Sequence, residues 1–262
     1  MSFFTIGMKY IDTHCHLQFE DYDNDREDEI NKMREQETLG IVVGVDVASS
    51  KQAVKLAEEY DHLFACVGVH PTYDEPHLDE LEELVKHPKV VAIGECGFDF
   101  FRTPKEEVYD KQKKLFDFQI DLAIKYQKPL TIHARSAYKE LYEVLSERKK
   151  EAGDKLNVNM HFFGGNMEDA KNFLDLGFTL SFSGVITFAR DYDEVVRYAP
   201  LSHILTETDS PYATPVPFRG KRNNPRFVSE VVTALAKVRE EDEEEVRRIV
   251  FENAKRVFKL PI

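Results

Sequence analysis

The sequence predicts an α/β fold, a (β/α)8 barrel of the TIM type, from three observations. Its 262 residues match the roughly 250 that such a barrel needs. Short runs rich in β-branched residues alternate eight times with longer amphipathic patterns, which is typical of repeated βα units around a parallel sheet. Histidines or carboxylates follow most of these runs directly, where the carboxyl ends of the strands would meet. No low-complexity linker interrupts the chain, so we expect one domain spanning 1–262.

The predicted strands are the short apolar runs, and in chain order they are Lys9–Thr13, Gly40–Val47, Leu63–Val69, Val90–Gly94, Pro129–Ile132, Asn157–Met160, Phe178–Phe182 and Ile204–Thr206. Helices are predicted where apolar residues recur every three or four positions, because that spacing places them on one helix face. The clearest of these segments are Glu27–Thr38, Ser49–Tyr60, Leu78–Val85 and Lys105–Tyr126.

Composition and charge restrict the class of protein. The formal net charge is −13, whereas a protein that coats nucleic acid would be basic. If the substrate is a polyanion, a local site must therefore bind it. Three cysteines, Cys15, Cys66 and Cys96, argue for a reducing compartment rather than a disulfide framework, which predicts a cytoplasmic protein.

Membrane and targeting segments are not predicted. No apolar run approaches the ~18 residues of a membrane helix. Residues 1–7 are apolar but lack a basic head and a long core, so we interpret them as an extension or a start-site artefact rather than a signal peptide. We expect no membrane association and no obligate protein partner.

The first strand ends in His14-Cys15-His16. Because side chains alternate along a strand, His14 and His16 should point the same way and Cys15 the opposite way. Two converging imidazoles suit a divalent metal ion. Asp12 should share the face of His14, and we expect a supporting role for it rather than a ligand role.

Further metal-ligand residues follow other strands. Glu95 comes after the fourth strand, His133 after the fifth, His161 after the sixth and Asp209 after the eighth. With His14 and His16 they offer six nitrogen or oxygen ligands, which are too many for one open tetrahedral zinc site. They suit two ions that share a bridging carboxylate, a pair that can clamp a phosphoryl or carbonyl group.

Seven motifs in this order and spacing resemble the TatD family of metal-dependent hydrolases and nucleases, within the amidohydrolase superfamily. They are IDTHCHL at 11–17, VGVHP at 67–71, AIGECGFDFFR at 92–102, IHAR at 132–135, HFFGG at 161–165, TETDSPY at 206–212 and RGKRNNP at 219–225. The resemblance extends over roughly residues 8–260. Departures from the family's pattern are small and fall at Cys15, Cys96 and Phe163.

The resemblance implies a role for each ligand. His14 and His16 would hold one divalent ion, and His133 and His161 the other. Glu95 would bridge both ions. Asp209 would bind the first ion and orient or deprotonate the attacking water. The identity of the metal stays open among Zn, Mn, Mg and similar ions.

Substrate contacts are predicted at His70 and Arg135 on the same rim, and at Lys221, Arg222 and Asn223 in the basic loop after strand eight. Arginine and lysine in such a loop would bind substrate phosphate groups. The alternative for this loop is a solvated surface whose cations form internal ion pairs.

These observations predict a metal-dependent hydrolase, a TatD-like deoxyribonuclease that trims single-stranded DNA ends. One alternative is an amide or ester hydrolase, for example on aminoacyl-tRNA. Another is a non-catalytic metal-binding scaffold, which the complete ligand set argues against.

Overall fold

The computed structural model describes residues 7–74 and 77–262. Eight parallel strands lie side by side in chain order, and the predicted barrel is confirmed. The strands are β1 (Tyr10–Cys15), β2 (Thr38–Val43), β3 (Leu63–Val67), β4 (Val90–Asp99), β5 (Leu130–Arg135), β6 (Val158–Met160), β7 (Thr179–Phe182) and β8 (Ile204–Thr206). Apart from Gly7, the predicted extension at 1–7 lies outside the described residues.

Helices alternate with the strands and cover the barrel. Within the described ranges they are α1 (Arg26–Glu35), α2 (Val47–Glu59), α3 (Leu78–Val85), α4 (Lys105–Tyr126), α5 (Tyr138–Ala152), α6 (Met167–Asp175), α7 (Asp193–Tyr198), α8 (Val228–Arg239) and α9 (Glu243–Phe258). No helix in the part of the chain that the structure describes is both long enough and apolar enough to cross a membrane.

The barrel closes where the segment after β8 returns to the end of β1. The amide of His16 donates to the carbonyl of Ser210 at 2.8 Å, and the amide of Asp209 donates to the carbonyl of His14 at 2.9 Å. These bonds bring the residues that follow β8 against the first histidine pair.

The predicted ends of the first helix and of the fourth strand were wrong. The first helix ends at Glu35, because Glu37 adopts a left-handed conformation (φ 54°) and Thr38 pairs with Tyr10 as the start of β2. Strand β4 does not end at Gly94 but continues to Asp99, with Gly97 paired to His133 of β5. Gly94 and Gly97 let this strand pack closely against the backbone of β5.

Candidate metal centre

The two histidines of the first motif converge. Their Nε2 atoms lie 3.2 Å apart, while the thiol of Cys15 points away and donates to the carbonyl of Ile41. Nδ1 of His16 lies 2.8 Å from the carbonyl of Val43, so this nitrogen carries the hydrogen. The Nε2 lone pair of His16 therefore stays free for a cation.

Asp12 fixes the backbone beneath this pair. One of its carboxylate oxygens accepts the amides of His14 (3.1 Å) and Thr208 (2.9 Å), and the other accepts the Thr208 hydroxyl at 2.5 Å. These bonds tie β1 to the segment after β8, and they occupy both oxygens. Burial raises the pKa of Asp12 well above its usual range, against the opposing effect of the Thr208 hydroxyl.

Glycines place Glu95 beside strand β5. A Cβ atom at Gly94 would lie 2.4 Å from the carbonyl oxygen of Thr131, and one at Gly97 would lie 2.2 Å from that of His133. Both glycines also have positive φ angles, 148° and 135°, which other residues rarely adopt. The sequence therefore needs glycine at these positions to bring the Glu95 carboxylate close to His133.

Glu95 lies between the two histidine pairs. Its Oε1 is 2.7 Å from Nδ1 of His133 and 3.5 Å from Nε2 of His161. Its Oε2 is 3.4 Å from Nε2 of His14 and 3.9 Å from Nε2 of His16. The rings of His14 and His161 are stacked, with centroids 3.5 Å apart. One carboxylate therefore contacts both pairs, which is the arrangement of a bridging ligand.

The second histidine pair is supported by two further carboxylates. Nε2 of His133 lies 3.0 Å from Oδ2 of Asp99, and Nδ1 of His161 lies 2.8 Å from Oε1 of Glu207. Glu207 is fully buried and also accepts the amide of Phe162 at 2.8 Å. Carboxylates of this kind orient a ligating imidazole and increase its basicity.

The electrostatics of the cluster follow from these contacts. Burial lowers the pKa of His161, but the carboxylates of Glu207 and Glu95 outweigh burial and raise this pKa to about 10. Burial likewise lowers the pKa of His133, but the carboxylates of Asp99 and Glu95 outweigh burial and raise this pKa above its ordinary value. Conversely, burial would raise the pKa of Glu95, but the surrounding histidines hold it well below its usual range.

Asp209 completes the cluster from the β8 side. Its Oδ1 lies 3.5 Å from Nε2 of His16 and 3.8 Å from Nε2 of His14. The residue has a positive φ of 55°, a conformation that aspartate tolerates better than most side chains. Burial favours its neutral form, but His16 and His161 lower its pKa, so the carboxylate is ionised at neutral pH.

The donor set fits a divalent metal ion. Histidine nitrogens and carboxylate oxygens lie within 4.8 Å of one another in three groups, namely His14–His16–Glu95, His14–His161–Glu207 and His70–Glu95–His133. Nδ1 of His14 is buried and has no hydrogen-bond partner. Such nitrogen and oxygen ligands suit Zn²⁺ and other borderline divalent ions.

The cluster opens into a cavity of about 790 Å³ that carries two of the predicted substrate contacts, His70 and Arg135. Nε2 of His70 lies 3.8 Å from Oε1 of Glu95, and burial lowers its pKa to about 4, so the ring is neutral at neutral pH. Arg102 also lines this cavity. A larger cavity of about 1060 Å³ adjoins it through Phe19, Tyr73 and Tyr212, but carries none of the metal-ligand residues.

The structure does not bring the predicted basic loop to the cavity. Arg222 forms a two-bond ion pair with Asp25 and lies over the ring of Tyr22. Asn223 is fully buried and donates to the carbonyl of Thr208. Lys221 is exposed on a separate small cavity. Internal ion pairs, the alternative interpretation, therefore describe Arg222, and the phosphate contacts of all three residues stay a prediction.

Asp99 and Glu207 were not among the candidate site residues, although both stand inside recognised motifs. Asp99 lies in the AIGECGFDFFR segment and Glu207 in TETDSPY. Asp99 lies on the same strand as Glu95, two residues after Gly97, and faces the same histidine. Each of the two is a second acidic residue close to a predicted ligand in the sequence, and this pattern could have identified Asp99 and Glu207 as candidates.

A parallel barrel with histidines and carboxylates gathered at the carboxyl ends of its strands defines a metal-dependent hydrolase class. The family model described as "TatD related DNase" matches residues 11–259. The chain belongs to this family, and it is a metal-dependent hydrolase.

Relatives of similar length support this assignment. YabD of Bacillus subtilis, named as an uncharacterized metal-dependent hydrolase, is 40% identical over 258 residues, covering 95% of this chain and 98% of YabD. YcfH of Escherichia coli, with the same description, is 34% identical over 260 residues and covers 96% of each chain. Among solved structures, the TatD homologue YjjV of Escherichia coli superposes with a TM-score of 0.88 at 28% identity, covering 97% of this chain and 99% of YjjV.

Proposed function

We propose that this chain is a deoxyribonuclease that hydrolyses phosphodiester bonds at single-stranded DNA ends with two divalent metal ions. The observation that carries the proposal is the position of Glu95, whose two oxygens face different histidine pairs. When bound, two ions supply Lewis-acid charge at the phosphoryl group and make a water molecule more acidic. The proposed deoxyribonuclease activity accords with the description of the matching family model.

The residues of this chain would bind the two ions and accept a proton from the attacking water. His14 and His16 would hold one ion, His133 and His161 the other, and Glu95 both. Asp209 would orient the attacking water and accept its proton. Its carboxylate is ionised at neutral pH and lies beside His16, so it could accept a proton close to where His14 and His16 would hold the first ion.

Charge at the mouth of the cavity supports a phosphate-bearing substrate. Arg102 and Arg135 line the cavity, and no salt bridge joins either of them to another described residue. Guanidinium groups bind phosphate oxygens through paired hydrogen bonds. In a chain with a net charge of −13, two arginines that line this cavity without a carboxylate partner among the described residues favour an anionic substrate.

One observation favours a second candidate, an ester or amide hydrolase that acts on aminoacyl-tRNA. The larger cavity, which adjoins the one into which the metal cluster opens, is lined by acidic residues that include Glu20, Asp21 and Asp23. Such a groove would attract the free ammonium group of an aminoacyl ester. The predicted cytoplasmic location and independence of an obligate partner stay predictions under either function.

A metal-supplemented assay of the two substrate classes side by side tests the proposal. We expect end-labelled single-stranded oligonucleotides to be shortened from one end, and aminoacyl esters to be hydrolysed slowly or not at all. The variant Asp209→Asn controls for contaminating nucleases, because it should lose the activity. Rapid ester hydrolysis with intact oligonucleotides would replace the first candidate by the second.

A further inference from the structure

An exposed aromatic ring contacts one of the two arginines that line the catalytic cavity. Phe101 lies in the loop between β4 and α4, and 59% of its surface is exposed. The guanidinium carbon of Arg135, which lines the cavity, lies 3.9 Å from the centre of this ring. A single exposed phenylalanine is common on protein surfaces. Phe101 differs from such residues because hydrogen bonds connect its backbone to the metal cluster.

Asp99 connects the ring to the cluster. One oxygen of its carboxylate accepts the amide of Phe101 at 3.0 Å, and the other lies 3.0 Å from Nε2 of His133. The side chain of Gln112 bonds both the amide and the carbonyl of Asp99, each at 3.0 Å. The amide of Phe100 also donates to the carbonyl of Arg135. The backbone that carries the ring is therefore held in a fixed position relative to His133.

Electrostatics indicate on which side of the cluster a polyanion would extend. Arg102 and Arg135 line the catalytic cavity, whereas acidic residues such as Asp21 and Asp23 line the adjoining groove. A chain of phosphates is attracted to the first surface and repelled by the second. The part of a nucleic acid next to the scissile phosphate would thus lie over Arg135 and Phe101.

We propose that Phe101 and Arg135 form a stacking platform for the nucleobase next to the scissile phosphate. Aromatic rings and arginine guanidinium planes both stack on bases, and such stacking tolerates any base sequence. The guanidinium of Arg135 is at the same time available to a phosphate oxygen. This inference rests on the proposed deoxyribonuclease function. It adds to that function a part of the substrate that the protein would recognise, namely a base in addition to the phosphate.

The chain offers a matched control for the platform. Phe188 is 41% exposed, and the guanidinium carbon of Arg219 lies 4.0 Å from the centre of its ring. Phe188 borders a different cavity beside α8, which contains none of the predicted metal-ligand residues. Phe101→Ala and Phe188→Ala therefore remove the same side chain from the same kind of pair at two places.

The test measures the kinetics of the metal-loaded enzyme on three substrates: a single-stranded oligonucleotide, the same oligonucleotide lacking one base next to the cleaved bond, and bis-p-nitrophenyl phosphate. We expect Phe101→Ala to raise KM for the intact oligonucleotide by about 10-fold or more, and Phe188→Ala to leave it unchanged. Loss of the base should raise the wild-type KM by a similar factor. On the base-free substrate, Phe101→Ala should cause little further loss, and kcat on the small diester should stay within about 2-fold.

Phe101→Trp should keep KM near the wild-type value, because it retains an aromatic ring. Phe101→Leu should raise KM as Phe101→Ala does, because a leucine fills space but offers no ring. Equal losses on the intact and base-free oligonucleotides would overturn the platform, since the ring would then act through structure alone. So would a Phe101→Ala variant that behaves like Phe188→Ala. If the wild type cleaves no oligonucleotide, the proposed function fails and the platform with it, whereas normal cleavage without a Phe101 effect removes only the platform.

Discussion

At the amino end of the barrel, buried or half-buried basic side chains face backbone carbonyl groups, whereas at the carboxyl end basic side chains also face carboxylates. His62, before β3, is buried and its Nε2 lies 3.1 Å from the carbonyl of Ile30. Lys128, before β5, donates to the carbonyls of Val85 and Val90, both at 2.5 Å. The carbonyl partners carry no net charge, so neither side chain gains an ion pair from these hydrogen bonds.

The pKa values show the consequence. Burial lowers the pKa of His62 to about 4 and that of Lys128 to about 8. At the other end, the carboxylates outweigh burial and raise the pKa of His161 to about 10. Buried charges with charged partners are costly to a fold and seldom its best source of stability. The difference indicates that the amino end serves the stability of the barrel and the carboxyl end its chemistry.

The largest effect on activity is expected at Asp209. Asp209→Asn keeps the shape of the side chain but removes the proton acceptor, so turnover should fall by ~10²–10⁴-fold while the fold and at least one metal ion are retained. Steady-state kinetics together with the metal content of the purified variant check this. Turnover within a few-fold of the wild type would show that another group accepts the proton.

A smaller effect is expected at Glu207, which supports His161 without being a predicted ligand. Glu207→Gln keeps an oxygen for the amide of Phe162 but loses the charge beside His161. Metal affinity or activity should fall by about 10–100-fold. Glu230→Gln, on α8 and remote from the cluster, is the matched control. Competition with a metal chelator measures the affinities, and equal values for the two variants would refute the supporting role.

At the amino end of the barrel, removal of a charged side chain should lower the stability of the fold without affecting activity. Lys128→Met leaves the carbonyls of Val85 and Val90 without their donor, which should cost about 1–3 kcal/mol in the free energy of unfolding. Lys125→Met, on the preceding helix and paired with Glu82 at the surface, should cost under about 1 kcal/mol. Denaturant unfolding gives these values. A loss of turnover per folded molecule in Lys128→Met would break the division between the two ends.

The smallest effect concerns acid stability. The folded-state pKa of His62 lies near 4, below its ordinary 6.5, so the unfolded chain binds the extra proton first. Its contribution to stability is complete above pH 6.5 and is lost as the pH falls towards 4, by of order 1–3 kcal/mol. His62→Gln, which can still donate to the carbonyl of Ile30, should lack this loss. Unfolding at pH 7 and pH 4.5 measures it, and parallel curves for both proteins would contradict the assignment.

The sequence was sufficient for the barrel and for the convergence of the six predicted ligand residues, since each of them follows a short apolar strand or lies in a motif. It was not sufficient for contacts made across the structure. The pairing of Arg222 with Asp25 joins residues far apart in the chain, so the basic loop was interpreted from its charge alone. Asp99 was missed because the fourth strand was predicted to end at Gly94, whereas β4 continues alongside β5 as far as Asp99.

The measurement that tests the central claim most directly is the metal content of the metal-saturated protein, compared between the wild type and Glu95→Gln. Because Glu95 faces both histidine pairs, we expect two divalent ions per wild-type chain and weakened binding of both in the variant. Hydrolysis should disappear after chelation and return when metal is added. At most one ion in the saturated wild type, or full hydrolysis after complete chelation, would contradict a two-metal centre bridged by Glu95.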